Sequence, residues 1–582
     1  MNATTDDLRS DITSGKKVWT GGQLVVETLK RMGIGRMYGV PGGQTLAITD
    51  AILDEPGFTF VTTRHEGAAA VMADAAGRIQ GVPGVCLATT GPGATNLLTG
   101  VGGALRDSSP VLVLTCNNRA PYIDRDDAQN ADHVSIFRPL TKWATLVTDT
   151  ASIPGVLQEA ALRATLGNPG PVLVDLARDA LEGSVELGPL EPVAPARVAA
   201  QRPVGDPRAV DRAAELIVSS RRPMLWIGNG VQISRAADAV LRLAEAYDLP
   251  VVTTFNAIGA VPSGHPHVFG SVTRMGTSLG HKVLREADLV VAVGNSMNAI
   301  STSRWAVRLP ETLIQIDVAP EYLGRNYPGR TFGILGDARL TVEALHEALA
   351  RGGAGSTDAG RRRLEALRET KAEWWRRAVD VDMAAAPMAP ATAIKAVRDQ
   401  APDDTMLIVD AGNPGVWSYL WQVRTAGTYL KPVGFGNMGF GLPAAIAAKM
   451  INGERPLVAL IGDGSLGMTL GELETVVREE TAVCLVIMND SSYGNIRQEQ
   501  DHLFGEGRNI GVSFVESDYA MVAAAFGIPS YRANTGEELA RAVGSILDSR
   551  RAGLVDARID PEVSAWTFPL FSTDSEVMNT EE

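Results

Sequence analysis

Cysteine is scarce in this chain of 582 residues, with only Cys86, Cys116 and Cys484. Each sits inside an apolar run that reads as a strand, without a CxxC partner or a neighbouring histidine, so neither a disulfide framework nor a zinc cluster is expected and a reducing, cytoplasmic setting fits. Long apolar runs are missing as well. No stretch of about 18 uninterrupted apolar residues occurs, and the opening MNATTDDLRSDITSGKK carries acids without an apolar segment, so membrane spanning and secretion are not expected. There is no basic excess either. The 53 Lys and Arg against 67 Asp and Glu give a formal charge of −14, a field that repels nucleic-acid phosphates and makes any anionic ligand depend on a local site.

What is present is an ordinary soluble composition, 45% apolar with a mean hydropathy of +0.03. Single cores stop growing near about 250–300 residues, so several domains are required. Apolar, β-branched runs of four to seven residues alternate with helical patterns, and the runs are continuous rather than alternating, which predicts parallel sheets in α/β layers. Two stretches break the rhythm: proline-rich Glu186–Gly205, and Arg351–Pro390, which encloses a charged helical piece able to lie against a domain (RRRLEALRETKAEWWRR). Three doubly wound domains at 16–185, 206–350 and 391–570 follow, with a tail at 571–582.

Strand, glycine-rich turn and helix recur in YGVPGG, LATTGPGATN, WIGNGV, LIVDAGNPG and VALIGDGS. Glycine at a strand end lets the backbone approach a ligand, and the helix that follows offers N–H groups to an anion. The sharpest case is Leu457–Asp490, where LVALI leads into Gly462-Asp463-Gly464-Ser465 and a second strand, AVCLVIM, ends in Asn489-Asp490-Ser491-Ser492-Tyr493-Gly494. Two hard oxygen donors at adjacent strand tips, beside free backbone N–H groups, suit a divalent ion bridging a diphosphate. In the first block, Glu66 enters a helix of small residues (HEGAAAVMADAAG), where it could equally serve the helix dipole.

GDG followed by an Asn-Asn pair resembles the signature of thiamin-diphosphate enzymes, matched here except that Asp490 replaces the second Asn. HEGAAA resembles the segment of acetolactate-synthase-like members whose glutamate hydrogen-bonds the cofactor's aminopyrimidine. The resemblance implies pyrimidine-binding, central nucleotide-fold-like and diphosphate-binding domains. It gives Mg²⁺ to Asp463 and Asp490 through side chains and to Ser492 through its carbonyl. It lines the cofactor with Gly42 and Gly43, with Glu66, Thr90 and Asn96, and with Asn413, Gly436 and Met438, the last bending the cofactor. Gly462, Gly464, Ser465, Tyr493, Gly494 and Asn495 complete that set. It also implies a homodimer or homotetramer with active sites at the subunit interface.

Several positions depart from true acetolactate synthases. The family arginine that holds the acceptor's carboxylate aligns with Ile300, the family methionine and pocket tryptophan with Asn495 and Glu499, and a family lysine with Arg178. Ala128 precedes the retained Gln129. Glu66, Gln129 and Glu499 are the catalytic candidates, Glu499 as a second acid–base group. Asn117-Asn118 and Thr89 stand where simple decarboxylases place histidines, and His265 and His267 read as surface or loop residues. The expected activity is decarboxylation of a 2-oxo acid, followed by protonation of the resulting enamine or its transfer to an aldehyde or ketone, a second 2-oxo acid being a poor acceptor. A 2-hydroxyacyl-CoA lyase or acyl-CoA decarboxylase is the alternative, with Arg274, Lys282, Arg285 and Arg325 as its phosphate-facing cations and a tail, FPLFSTDSEVMNTEE, that lacks basic residues. A non-catalytic homologue is a further alternative. Gly228-Asn229-Gly230, Gly294, Asp317 and Asp337 resemble a fold that takes FAD or ADP, although the flavin-touching GMHG segment is here Thr273-Arg274-Met275-Gly276.

Overall fold

Strands buried on both faces carry no polar alternation, and the computed structural model, which describes residues 16–123, 125–188, 190 and 202–572, bears out that reading of the apolar runs. The chain forms two compact units, Met1–Gln201 with Ile446–Ile451, and Arg202–Ala445 with Asn452–Glu582.

In the first unit the strands run in chain order β1 (Lys17–Thr20), β2 (Arg36–Gly39), β3 (Thr59–Thr62), β4 (Gly84–Ala88), β5 (Val111–Asn117), β6 (Trp143–Val147), β7 (Pro171–Ala177) and β8 (Ser184–Leu187). Six make a parallel sheet in the order β3-β2-β4-β5-β7-β6. Every residue of β4, β5 and β7 is buried, Cys86 and Cys116 among them. β1 and β8 pair antiparallel outside that sheet, so the stretch read as a linker from Glu186 begins within a strand; residues 189 and 191–201 lie outside the described set. Helix α1 (Glu66–Gln80) is buried from Ala68 to Gly77, its small residues allowing close packing. Near its end Arg78 pairs with Asp74 at 2.6 Å and Asp107 at 2.9 Å, a buried triad in which each charge compensates another.

The second unit holds β9 (Pro223–Ile227), β10 (Val251–Thr253), β11 (Val268–Ser271), β12 (Gly276–Thr277), β13 (Leu289–Val293), β14 (Leu313–Asp317) and β15 (Thr331–Leu335). β16 (Met406–Val409), β17 (Tyr429–Leu430), β18 (Leu457–Gly462), β19 (Cys484–Asn489), β20 (Ser530–Ala533), β21 (Gly553–Arg558) and β22 (Phe571–Ser572) follow. They build two more six-stranded sheets, β11-β10-β9-β13-β14-β15 and β17-β16-β18-β19-β21-β20, each parallel throughout. The charged piece of the second linker is helix α2 (Asp358–Ala378), and it does lie against a domain. Its buried Leu364, Leu367, Lys371, Trp374 and Ala378 recur at three- and four-residue spacing, an amphipathic stripe that joins the core of this unit. The start of the tail pairs with the central region, since β22 runs antiparallel to β12; residues 573–582 lie outside the described set.

Candidate active site

The carboxyl ends of parallel strands collect the loops that follow them, and both outer sheets use theirs to present carboxylates. In the first unit, β3 leads through Thr63, Arg64 and His65 into α1, whose first residue is Glu66. His65 caps the helix by accepting from Gly67 N at 3.0 Å. Glu66 is 9% exposed, and its Oε2 accepts from Asn96 Nδ2 at 2.9 Å, so two of the expected site residues meet directly. Thr90 Oγ1 donates to the carbonyl of Gln129, and Gly91, at φ +60°, lies so close to that carbonyl that a Cβ would stand 2.4 Å from it. The side chain of Gln129 is exposed; its backbone is what joins the cluster. Gly42 donates to Thr45 Oγ1, and exposed Gly43 follows it at the tip after β2. Across the strand ends, Thr89 donates to Gln44 at 2.6 Å, and Gln44 donates to Asn118 at 3.1 Å. Gln44 was not singled out by the sequence pattern.

In the second unit, β18 ends at Gly462 and a short helix opens on Asp463, 2% exposed; β19 delivers Asn489 and Asp490 beside it. Burial first, and the neighbouring Asp490 charge second, push Asp463 up to about 7; burial likewise raises Asp490. The loop folds on itself: Asn489 Oδ1 accepts from Ser491 N at 3.1 Å, and Asp490 Oδ1 from Ser492 N at 3.1 Å and Ser492 Oγ at 3.0 Å. Helix α3 (Gly494–Phe504) then starts at Gly494, where a Cβ would stand 2.1 Å from Asp490 Oδ2 and 2.9 Å from Asn413 Nδ2, which requires glycine. Asn495 donates to Asn413 Oδ1 at 3.3 Å. Tyr493 packs edge-on to Phe514 and against Gly464.

Met438 and Gly436 lie on the loop between β17 and the helix Gly441–Asn452. That loop is anchored by Asp410, just past β16, which accepts from Phe440 N at 3.3 Å and Gly441 N at 2.7 Å and also engages Ser465. Burial pushes Asp410 up to about 6. Its role was not apparent in the sequence, because its partners lie 30 or more residues away.

A buried carboxylate raised by the charge of a half-buried one beside it calls for a cation, and hard oxygen donors suit Mg²⁺. Asn437 Oδ1, buried on the Met438 loop without a partner among the described residues, is an acceptor awaiting a donor. Both observations fit a metal-bound diphosphate cofactor. The flavin segment fits less well. Thr273 Oγ1 and Arg274 N both donate to the Ile300 carbonyl, at 3.1 and 3.0 Å, and the Arg274 guanidinium reaches Glu499 at 3.0 Å. In the central sheet, Gly228 and Gly230 pack backbone to backbone on Gly294, and Asp337 caps its helix and binds Ser234 and Arg202, so these residues already have structural work. Asp317 accepts from Ala319 N. Arg178 pairs with Glu182 at 2.7 Å. His265 bonds Glu245, whereas His267 is buried rather than a surface residue, with neither ring nitrogen partnered among the described residues.

The geometry thus brings a buried carboxylate and a half-buried one to adjacent strand tips in the second unit and a buried glutamate, held by Asn96, to a strand tip in the first. The models for the thiamine pyrophosphate enzymes match along the chain: the N-terminal TPP binding domain at residues 19–136, the central domain at 210–345 and the C-terminal TPP binding domain at 410–557. The chain is 31% identical over 552 residues to the probable acetolactate synthase large subunit of Methanocaldococcus jannaschii, covering 93% of this chain and 92% of that one. It is 30% identical over 562 residues to the acetolactate synthase isozyme 2 large subunit of Escherichia coli, covering 96% and 99%. The isozyme 3 large subunit of the same organism is 31% identical over 557 residues, covering 93% and 95%. The chain belongs to the thiamine pyrophosphate enzymes, on their acetolactate synthase-like branch.

Proposed function

We propose that this enzyme decarboxylates a 2-oxo acid and delivers the remaining fragment to a proton or to an aldehyde or ketone acceptor, using thiamin diphosphate and Mg²⁺. The observation that carries the reading is the pair Asp463, buried, and Asp490, half-buried, at adjacent strand tips beside the Cβ-free surface of Gly494. When bound, thiamin diphosphate supplies a carbon nucleophile and stores the electron pair released with CO₂. Asp463, Asp490 and the Ser492 carbonyl hold the metal; Gly462, Gly464, Ser465, Tyr493, Gly494, Asn495 and Asn413 surround the diphosphate. Glu66, fixed by Asn96, keeps a proton at the aminopyrimidine N1′, with Gly42, Gly43, Thr90 and Gln129 on the same side. Gly436 and Met438 would lie against the cofactor, on a loop whose far end Asp410 anchors through Phe440 N and Gly441 N.

Domain limits at 16–185, 206–350 and 391–570 accompany this reading, as do a homodimer or homotetramer and a cytoplasmic location. Among the described residues no helix is long and apolar enough to cross a membrane. The test is calorimetric binding of thiamin diphosphate with and without Mg²⁺, followed by CO₂ release from a panel of 2-oxo acids with and without aldehydes. Metal-dependent binding and CO₂ release from at least one acid are expected; binding that ignores the metal, or no CO₂ from any acid, overturns the reading.

A further inference from the structure

Behind the Thr90–Gly91 turn of the first unit stands a row of buried polar side chains to which the proposed function gives no work. Asp175, on β7, is 1% exposed; it accepts from Thr115 Oγ1 and Asn117 Nδ2 of β5, at 2.7 Å each, and faces His133 Nδ1 at 2.9 Å. His133 opens the short helix His133–Phe137 and is also 1% exposed. Its other ring nitrogen, Nε2, accepts from Gly91 N at 3.0 Å. A backbone N–H can only donate, so Nε2 offers a lone pair and the ring carries its proton on Nδ1, pointed at Asp175. Gly91 leads into the helix Pro92–Asn96, and that segment meets Glu66: a Cβ on Gly93 would stand 3.4 Å from Glu66 Oε1, and Asn96 donates to Glu66 Oε2 at 2.9 Å. A continuous series of contacts thus runs from the strand residue Asp175 to the carboxylate proposed for proton work.

We infer that His133 is a positioning residue for Glu66, clamping the Gly91 turn in its Nδ1–H form; this rests on the function proposed above. The turn's other tie is Thr90 Oγ1, which donates to the Gln129 carbonyl at 3.3 Å. The His133 side is the firmer hold, because it is buried and each hydrogen bond along the row from Asp175 polarises the next. Leucine would fill the same space and leave Gly91 N without its acceptor. Glutamine, whose amide oxygen and nitrogen stand about as far apart as the two ring nitrogens, can accept from Gly91 and donate to Asp175 at once. Residues Gly91 to Asn96 then keep their course toward Glu66. A ring that only filled the core would cost stability when lost and leave the work of Glu66 untouched.

The first measurement is made on the wild-type apoprotein, so it holds whatever the stability of the variants. The ring ¹⁵N shifts of the histidine-labelled chain, assigned by the signal missing in His133→Gln, should show a proton on Nδ1 of His133 and none on Nε2. The reverse tautomer, or rapid averaging of the two, overturns the inference. The second uses the holoenzyme with thiamin diphosphate and Mg²⁺ and reads how fast the proton on the cofactor's nucleophilic carbon exchanges for deuterium, beside cofactor affinity by calorimetry. His133→Leu is expected to slow exchange about tenfold or more while affinity stays within a few-fold, because a displaced acid–base group loses rate before it loses binding. His133→Gln should recover most of that loss. His133→Leu placed in the Glu66→Gln background should cost little further, since the two residues act in one line. A leucine variant that exchanges like wild type, a loss that glutamine leaves uncorrected, or a loss of equal size in the Glu66→Gln background overturns the inference and leaves the proposed function standing. A wild type that binds no cofactor with Mg²⁺ overturns that function and this inference with it.

Discussion

The first and last sheets have the same strand order, β3-β2-β4-β5-β7-β6 against β17-β16-β18-β19-β21-β20, and the same buried brace. In the first, Thr115 pairs in register with Asp175 and Asn117 with Ala177, and Asn117 Nδ2 donates to Asp175 at 2.7 Å. In the last, Ile487 pairs with Asp556 and Asn489 with Arg558, and Asn489 Nδ2 donates to Asp556 at 2.8 Å. One architecture therefore fixes both strand tips, and what differs is the residue just beyond the brace. There the first sheet has neutral Asn118, tied to Gln44 and the Ala128 carbonyl; the last has Asp490, facing a second carboxylate. On the function proposed above, the first tip would take a neutral heterocycle beside Glu66, and the second a cation and its anion. The two sheets share one frame and differ in the side chains at these loop positions.

The largest expected effect tests the charged half. Even groups that only orient a metal's ligands are worth about 10–100-fold in affinity, so Asp463→Ala should weaken thiamin diphosphate binding in the presence of Mg²⁺ by on the order of 10³-fold, read by titration calorimetry. Retention of wild-type affinity would remove Asp463 from the metal site. Metal removal with a chelator should produce a loss of similar size in the wild type.

The two sheets also differ where β2 and β16 end, at Val40 against Asp410, and this has a consequence for pH. The folded pKa of Asp410, about 6, lies above the ordinary value of 3.8, so the folded state binds this proton more tightly than the unfolded one. The stabilisation is complete below pH 3.8 and is lost as pH rises to about 6, at most about 3 kcal/mol for this group. Denaturant melts of the apoprotein across that window should carry this falling contribution, and Asp410→Asn should flatten it. An unchanged pH slope in the variant would show that Asp410 does not titrate there.

In the first half, Glu66→Gln keeps the hydrogen bond from Asn96 within reach but cannot hold and release a proton. Cofactor affinity should stay within a few-fold of wild type while turnover falls by about 10²-fold or more. Loss of binding rather than turnover would break the division of labour between the halves.

Local geometry carried by neighbours in sequence was legible without a structure. GDGS, NDSSYG and HEGAAA each hold their own turn or helix start, so Asp463, Asp490 and Glu66 could be named, and the continuous apolar runs gave the parallel sheets. What stayed hidden depends on partners far along the chain: the Asn117–Asp175 and Asn489–Asp556 braces, the grip of Asp410 on Phe440 and Gly441, and the Arg274–Glu499 pair across 225 positions. Pairing of β8 with β1 made a strand of residues whose spacing reads as linker, because an edge ladder needs no local signal beyond an extended run.

The smallest expected effect makes the two tips alike. Asp490→Asn gives the last sheet the same Asn-Asn ending that follows β5, and an amide oxygen can still accept from Ser492 N and Oγ and still offer a hard donor to Mg²⁺. It also removes a negative charge next to Asp463. That relieves the second cause of the raised Asp463 pKa and leaves burial, the first cause, in place. One ligand charge is lost while the remaining carboxylate ionises more readily, so the two changes oppose each other. Affinity for thiamin diphosphate with Mg²⁺ should therefore stay within about tenfold of wild type. A loss as large as that of Asp463→Ala would mean that the carboxylate of Asp490, rather than its oxygen alone, holds the metal, and that the likeness between the two sheets ends one residue earlier than the braces suggest.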